Sequence, residues 1–165
     1  MTILTFKFSG VKEAEEALEH VKDKLETEMQ SILLGGGQLI RGEAVRSIQQ
    51  GNKTGRIYEK YNPRRTHRAS APGEAPASDT GNLVSQIFVK NKEEGVVQVS
   101  SEAMYSKFLE FGTEKMLPRP FLFPAFEKSK PRIAEVLFKK ITDALKDFGK
   151  WVTIAYNYKK LFLML

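Results

Sequence analysis

Apolar residues recur every three or four positions at Val11, Ala14, Leu18, Val21, Leu25, Met29 and Ile32, one face of a long helix. Just upstream, residues 2–8 alternate instead. Ile3 and Thr5 fall on one side and Leu4, Phe6 and Phe8 on the other, which predicts a strand. Ser9 and Gly10 stop that strand, and Ser9 is placed to cap the helix. Gly35, Gly36 and Gly37 interrupt the helical pattern at a cost of roughly 1 kcal/mol each. A kink or break is therefore expected there. Leu39, Ile40, Ala44, Val45 and Ile48 then resume helical spacing up to Gly51.

A second alternating stretch sets Val84, Gln86 and Phe88 against Ser85, Ile87 and Val89, a strand or a short helix leading into one. After a turn over 91–95, Val96, Val97 and Val99 supply a partner strand, predicting an antiparallel hairpin. Residues 102–111 space Ala103, Phe108 and Leu109 as a short helix. Beyond Pro124, the residues Ile133, Leu137, Ile141, Ala144, Leu145 and Phe148 form one helical stripe. Pro131 fits a first turn with Ser129 as its cap, and Gly149 marks an end.

Between the last two helical patterns lies an aromatic, proline-rich corner. Glu110 stands between Phe108 and Phe111, Gly112-Thr113 follow, and Arg119 sits between Pro118 and Pro120, before Phe121, Phe123 and Pro124. Pro120 drives Arg119 into extended backbone, and Gly112 can take positive φ. The expectation is a rigid corner in which Glu110 and Arg119 pair. The plainer alternative is a well-packed loop before a helix.

Charge is unevenly spread. Residues 11–29 carry seven acids against three lysines, a net −4, the pattern of a solvated helix face. Residues 53–68 carry Lys53, Arg56, Lys60, Arg64, Arg65 and Arg68 against Glu59, a net +5, with Tyr58 and Tyr61 interleaved. Basic residues among aromatics suit nucleic acid or an acidic protein surface. Arg56-Ile57-Tyr58 can open a hairpin arm, the alternative being a loose solvated loop. The irregular stretch 53–81 is long for a loop in a compact domain, and such loops are often functional.

The chain has 165 residues, enough for one domain with a sizeable core or for two small ones. It has no cysteine, so disulfides and thiol chemistry are excluded. His20 and His67 stand far apart, and no ligand spacing for zinc exists. Neither 35–37 nor 51–54 has the frame of a phosphate loop. The net charge of +6 favours acidic partners. No signal peptide is expected at the N-terminus. Residues 151–165 are apolar but broken by Asn157, Lys159 and Lys160, short of the ~20 apolar residues of a bilayer span. The only near-sequence catalytic trio is His67, Ser70 and Asp79, within the Pro/Gly-rich stretch. The residues imply no cofactor, no metal and no catalysis.

Two runs together resemble a known family. One is His67-Arg68-Ala69-Ser70-Ala71-Pro72-Gly73-Glu74-Ala75-Pro76-Ala77-Ser78-Asp79-Thr80-Gly81-Asn82-Leu83. The other is Tyr105, Glu110-Phe111-Gly112-Thr113, Arg119-Pro120-Phe121 and Pro124-Ala125. In order and spacing they resemble the tail-component family of long-tailed bacteriophages, the tail-completion or head–tail joining neck proteins. The resemblance covers roughly residues 11–147. It implies an α+β fold, with a long N-terminal helix and a C-terminal helix packed on a small antiparallel sheet and a long extended loop or hairpin arm. It further implies a structural virion protein at the neck, in host cytoplasm during assembly. Copies would form a ring, usually of six and alternatively of twelve. The ring would join head-connector or adaptor proteins to the tail terminator or tail tube, with DNA passing through its lumen.

On this reading, residues 1–149 form one domain with 53–81 as a protruding arm, and 150–165 form an apolar extension. Arg56, Tyr58, Tyr61, Arg64, Arg65, His67, Arg68, Trp151 and Phe162 are the expected contacts to copies or partners. Pro72, Gly73, Asp79, Thr80, Gly81, Tyr105, Glu110, Phe111, Gly112, Thr113, Arg119, Pro120, Phe121 and Pro124 are the structural motif. The acidic helix and basic arm are complementary, so the arm is expected to reach the next copy. The rival readings are a nucleic-acid-binding module using 53–68 and an enzyme dependent on His67.

Overall fold

A computed structural model describes residues 11–162, without the side chains of 11, 13, 14, 17, 147, 148 and 150–162. The strand expected at residues 2–8, with Ser9 and Gly10, lies outside the described residues. In chain order the elements are α1 (Val11–Gln50), β1 (Ile57–Tyr61), β2 (Arg64–Arg68), α2 (Asn82–Ser85), β3 (Ile87–Glu93), β4 (Val96–Ser101), α3 (Ser106–Phe111) and α4 (Leu122–Phe162). Among the described residues this is an α+β arrangement with two antiparallel two-stranded sheets.

Helix α1 is the spine. Helix α4 runs antiparallel along it, as three contacts show: Lys140 Nζ to Glu28 Oε2 at 3.6 Å, Lys128 Nζ to Glu43 Oε2 at 2.6 Å, and Ile133 against Gly36. The β3–β4 hairpin also packs on α1. Its register pairs Val89 with Val99 and Asn91 with Val97, and shifts between Asn91 and Glu93. Strand β3 thus reaches into the turn expected at 91–95, leaving Glu94-Gly95 to reverse the chain, with Gly95 at φ 70°.

The glycine triplet does not break α1, which is continuous over 40 residues. The reason is tertiary. A Cβ on Gly37 would lie 2.7 Å from Val89 Cγ1 and 3.0 Å from Val97 Cγ1, and one on Gly36 would lie 3.2 Å from Ile133. Both glycines are buried at the contacts with the hairpin and α4. Close packing offsets the helical cost that sequence alone assigns to them.

The core gathers Ala44 and Ile48 of α1, Leu83 of α2, Ile87 of β3, Ala103, Phe121 and Ala125. The helical stripe expected before Gly35 is buried less uniformly: Leu18 is exposed while Val21, Leu25, Met29 and Ile32 are half-buried.

Helix α4 departs from expectation at both ends. It starts at Leu122, so Pro131 lies in its interior, on an exposed side. Ser129 is buried and makes no cap; its hydroxyl has no partner among the described residues. The start is set upstream by a carboxylate cap described below. At the other end α4 passes through Gly149 to Phe162. One glycine costs only about 1 kcal/mol in a helix and cannot end one unaided.

Candidate assembly surface

Strands β1 and β2 fold the basic stretch into a hairpin whose register sorts its side chains onto two faces. Tyr58 pairs with His67 and Lys60 with Arg65, while Ile57 pairs with Arg68, Glu59 with Thr66 and Tyr61 with Arg64. The first set turns inward on Asp79. Lys60 bonds its carboxylate, Arg65 Nη2 lies 2.7 Å from Oδ1, and His67 Nδ1 lies 3.8 Å away. The Lys60 hydrogen bond above all holds the Asp79 carboxyl below its usual range; the charges of Arg65, Lys60 and His67 add to it, and desolvation opposes it. The second set faces outward. Tyr61 at the tip is 77% exposed. Among the described residues, Arg64 and Arg68 meet no carboxylate, and Arg56 lies over the Tyr58 ring at 5.7 Å.

The root of the arm is held by Glu74, a residue the sequence did not single out. Its carboxylate accepts from Thr54 Oγ1 at 2.6 Å, Thr54 N at 3.0 Å and Ala71 N at 2.8 Å. These bonds, the Thr54 hydroxyl first, pull its pKa down to about 2. Beside it Lys53 donates to the carbonyls of Ser47 at 3.0 Å and Ala75 at 2.6 Å, and burial lowers its pKa. Nothing in the spacing of Thr54 and Glu74 announces this clamp, because twenty residues separate them.

The two runs that carry the family resemblance come together in space. Gly73 N donates to Pro118 O at 2.9 Å, Arg119 Nε to Ser70 O at 3.2 Å, and Asn82 Nδ2 to Tyr105 Oη at 3.1 Å. A cleft of about 380 Å³ marks this seam, with Asp79, Thr80, Tyr105 and Arg119 in its wall. Three glycines make the bends: Gly73, Gly81 and Gly112 have φ of 82°, 79° and 77°. At Gly112 a Cβ would also lie 2.7 Å from Met116 O, next to the short bridge between Thr113 and Met116. Pro72 is exposed beside the first of these bends.

The expected Glu110–Arg119 ion pair does not form among the described residues. Arg119 is occupied by Ser70, and its N–H donates to Leu109 O at 2.7 Å. Glu110 instead caps α4, accepting from the N–H groups of Phe121 at 2.9 Å, Leu122 at 3.1 Å and Phe123 at 2.8 Å. A helix start leaves four N–H groups without partners, and the fourth position here is Pro124, which has none. A carboxylate facing the positive end of the helix dipole outcompetes an exposed ion pair.

Beside the cap, Pro120 and the rings of Phe111, Phe123 and Phe126 line an open apolar groove of about 730 Å³ against Val97 and Val99 of β4. Phe111 is 76% exposed there, while Phe121 is buried beneath. Trp151 and Phe162 belong to α4, but their side chains lie outside the described set. Of the catalytic trio, His67 meets Asp79, but Ser70 is only 5% exposed. Among the described residues no group of His, Asp and Glu is placed to hold a metal ion, and no helix is long and apolar enough to cross a membrane.

Among known families, the model described as "Bacteriophage HK97-gp10, putative tail-component" matches residues 12–112, more than half of the chain. The match spans α1, the arm and the β3–β4 hairpin and ends at the Gly112 bend, so α4 lies beyond it. No curated protein and no solved structure matches.

Proposed function

This chain belongs to the HK97-gp10-like family of bacteriophage tail components, and from that premise we propose that it is a structural protein of the virion neck or tail top. Copies form a ring that joins the head connector to the tail tube and surrounds the DNA. The protein carries out no catalysis. The observation that carries this reading is the clasp between the two motif runs. It fixes a charged hairpin arm and a Phe-rich groove as rigid, outward-facing surfaces. Exposed apolar patches of this kind mark sites of association.

The test is the mass of the purified full chain, alone and with tail tubes, by native mass spectrometry and electron microscopy. Rings, or decoration of tube ends, are expected. A chain that stays monomeric and ignores tubes overturns the proposal. Duplex binding by that monomer with a steep salt dependence would support a nucleic-acid module instead.

A further inference from the structure

We propose that copies of this chain join head to tail by seating the outward face of the β1–β2 arm of one copy in an acidic cleft of the next. The inference rests on the reading of the chain as a self-assembling component.

The cleft lies between α1 and the β3–β4 turn and measures about 730 Å³. Asp23 and Glu26 of α1 face Glu93 and Glu94 of the hairpin across it, with Leu34 in the wall. Asp23, Glu93 and Glu94 meet no cation among the described residues, and Glu26 meets only Lys22, at 3.8 Å with both side chains exposed. Among the described residues Lys92 is the one cation lining it, so the lining is net acidic. Its shape is fixed, because Gly95 N donates to Gln30 Oε1 at 2.8 Å and ties the turn to the helix.

The arm presents the complement. Its outward face carries Arg64 and Arg68, both without a carboxylate partner among the described residues, beside Ile57 and Tyr61; Glu59 shares that face and accepts from Tyr61 Oη at 3.4 Å, so the face keeps a net positive charge of one. A cation pair beside an apolar tip suits a cleft of carboxylates with a leucine in its wall.

The arm cannot reach the cleft of its own chain. It leaves α1 beyond Gln50, whereas the cleft is built on residues 23–34, roughly 25–40 Å back along the helix at 1.5 Å per residue. A five-residue strand spans only about 17 Å, the segment leading to it is held at its root by Lys53 on Ser47 O and Thr54 on Glu74, and the arm's inner face is clamped to Asp79. The occupant is therefore a second copy. Two different patches meet, which makes the contact heterologous, and repetition closes a ring or runs on as a filament.

The chain has no cysteine, which permits a clean cross-linking test. Full-length Tyr61→Cys and Glu94→Cys chains, mixed under oxidation, should give a disulfide-linked dimer that neither gives alone. Separately, Arg64→Glu with Arg68→Glu should raise the concentration needed for assembly by roughly tenfold or more. Glu93→Lys with Glu94→Lys should do the same, and all four changes in one chain should restore assembly. Circular dichroism confirms that each variant folds. Wild-type assembly with indifferent arm variants, no rescue by the fourfold change, or no mixed cross-link overturns this contact and leaves the ring reading standing. A wild-type chain that never assembles overturns both.

Discussion

Phe121 N–H donates to Glu110 Oε2 at 2.9 Å, joining the last turn of α3 to the residue that precedes α4 across eleven residues. An acid in the last turn of a helix opposes that helix's own dipole. Glu110 is explained by the next helix, whose positive end it faces.

Removing this cap should weaken the fold. Glu110→Ala is expected to cost about 2 kcal/mol or more in urea unfolding, since three N–H groups lose a charged acceptor. Glu110→Gln keeps one acceptor oxygen and should cost about half as much. Equal stability of all three chains would refute the cap.

The glycines of α1 should respond with opposite signs. A methyl added at Gly35 would meet open space, so Gly35→Ala should stabilise by about 1 kcal/mol through helix propensity. Gly37→Ala drives a methyl to 2.7 Å from Val89 and should destabilise by about 1–3 kcal/mol despite the same propensity gain. Thermal unfolding of the two variants decides it.

Glu74 should make stability depend on acid. Its folded pKa of about 2 lies below the ordinary 4.5. Its contribution is therefore complete above the unfolded value and is lost as pH falls from about 4.5 towards 2. Glu74→Gln should flatten that limb of a stability–pH profile; a profile identical to wild type counts against the clamp.

Asp79→Asn releases Lys60, Arg65 and His67 from their common partner. Amide exchange in β1 and β2 should speed up while β3, β4 and the centre of α1 keep their protection. Unchanged exchange in the arm would show that its hairpin bonds alone hold it.

Removal of residues 150–165 should leave the domain folded and abolish or weaken assembly, because an apolar end of this kind is costly unless a neighbour covers it. Sedimentation of the truncated chain checks this, and rings of normal size would assign the extension another role.

Much of the scaffold was legible in the residues. Three-and-four spacing located α1 and α4, alternation located β3 and β4, and Arg56-Ile57-Tyr58 pointed to the arm, because each depends on neighbours within a few positions. The corner at Gly112 was legible too, since only local backbone sterics are involved. The Glu110 partner was not: a nearby arginine looked like the natural match, and sequence marks of a helix start lie within a few residues of it, whereas this cap comes from eleven residues upstream.

What the chain's order of residues determined, then, is periodicity, charge blocks and bends, all short-range properties of the backbone and its nearest side chains. Only the folded arrangement decided that α1 passes unbroken through three glycines, that Lys60 and Arg65 on one face of the arm are engaged by Asp79 while Arg64 and Arg68 on the other point away from it, and that Glu93 and Glu94 stand across a cleft from Asp23 and Glu26. Each of these depends on surfaces brought together from distant parts of the chain, or on which side of a strand turns inward. Distance in space, not distance along the chain, sets those energies.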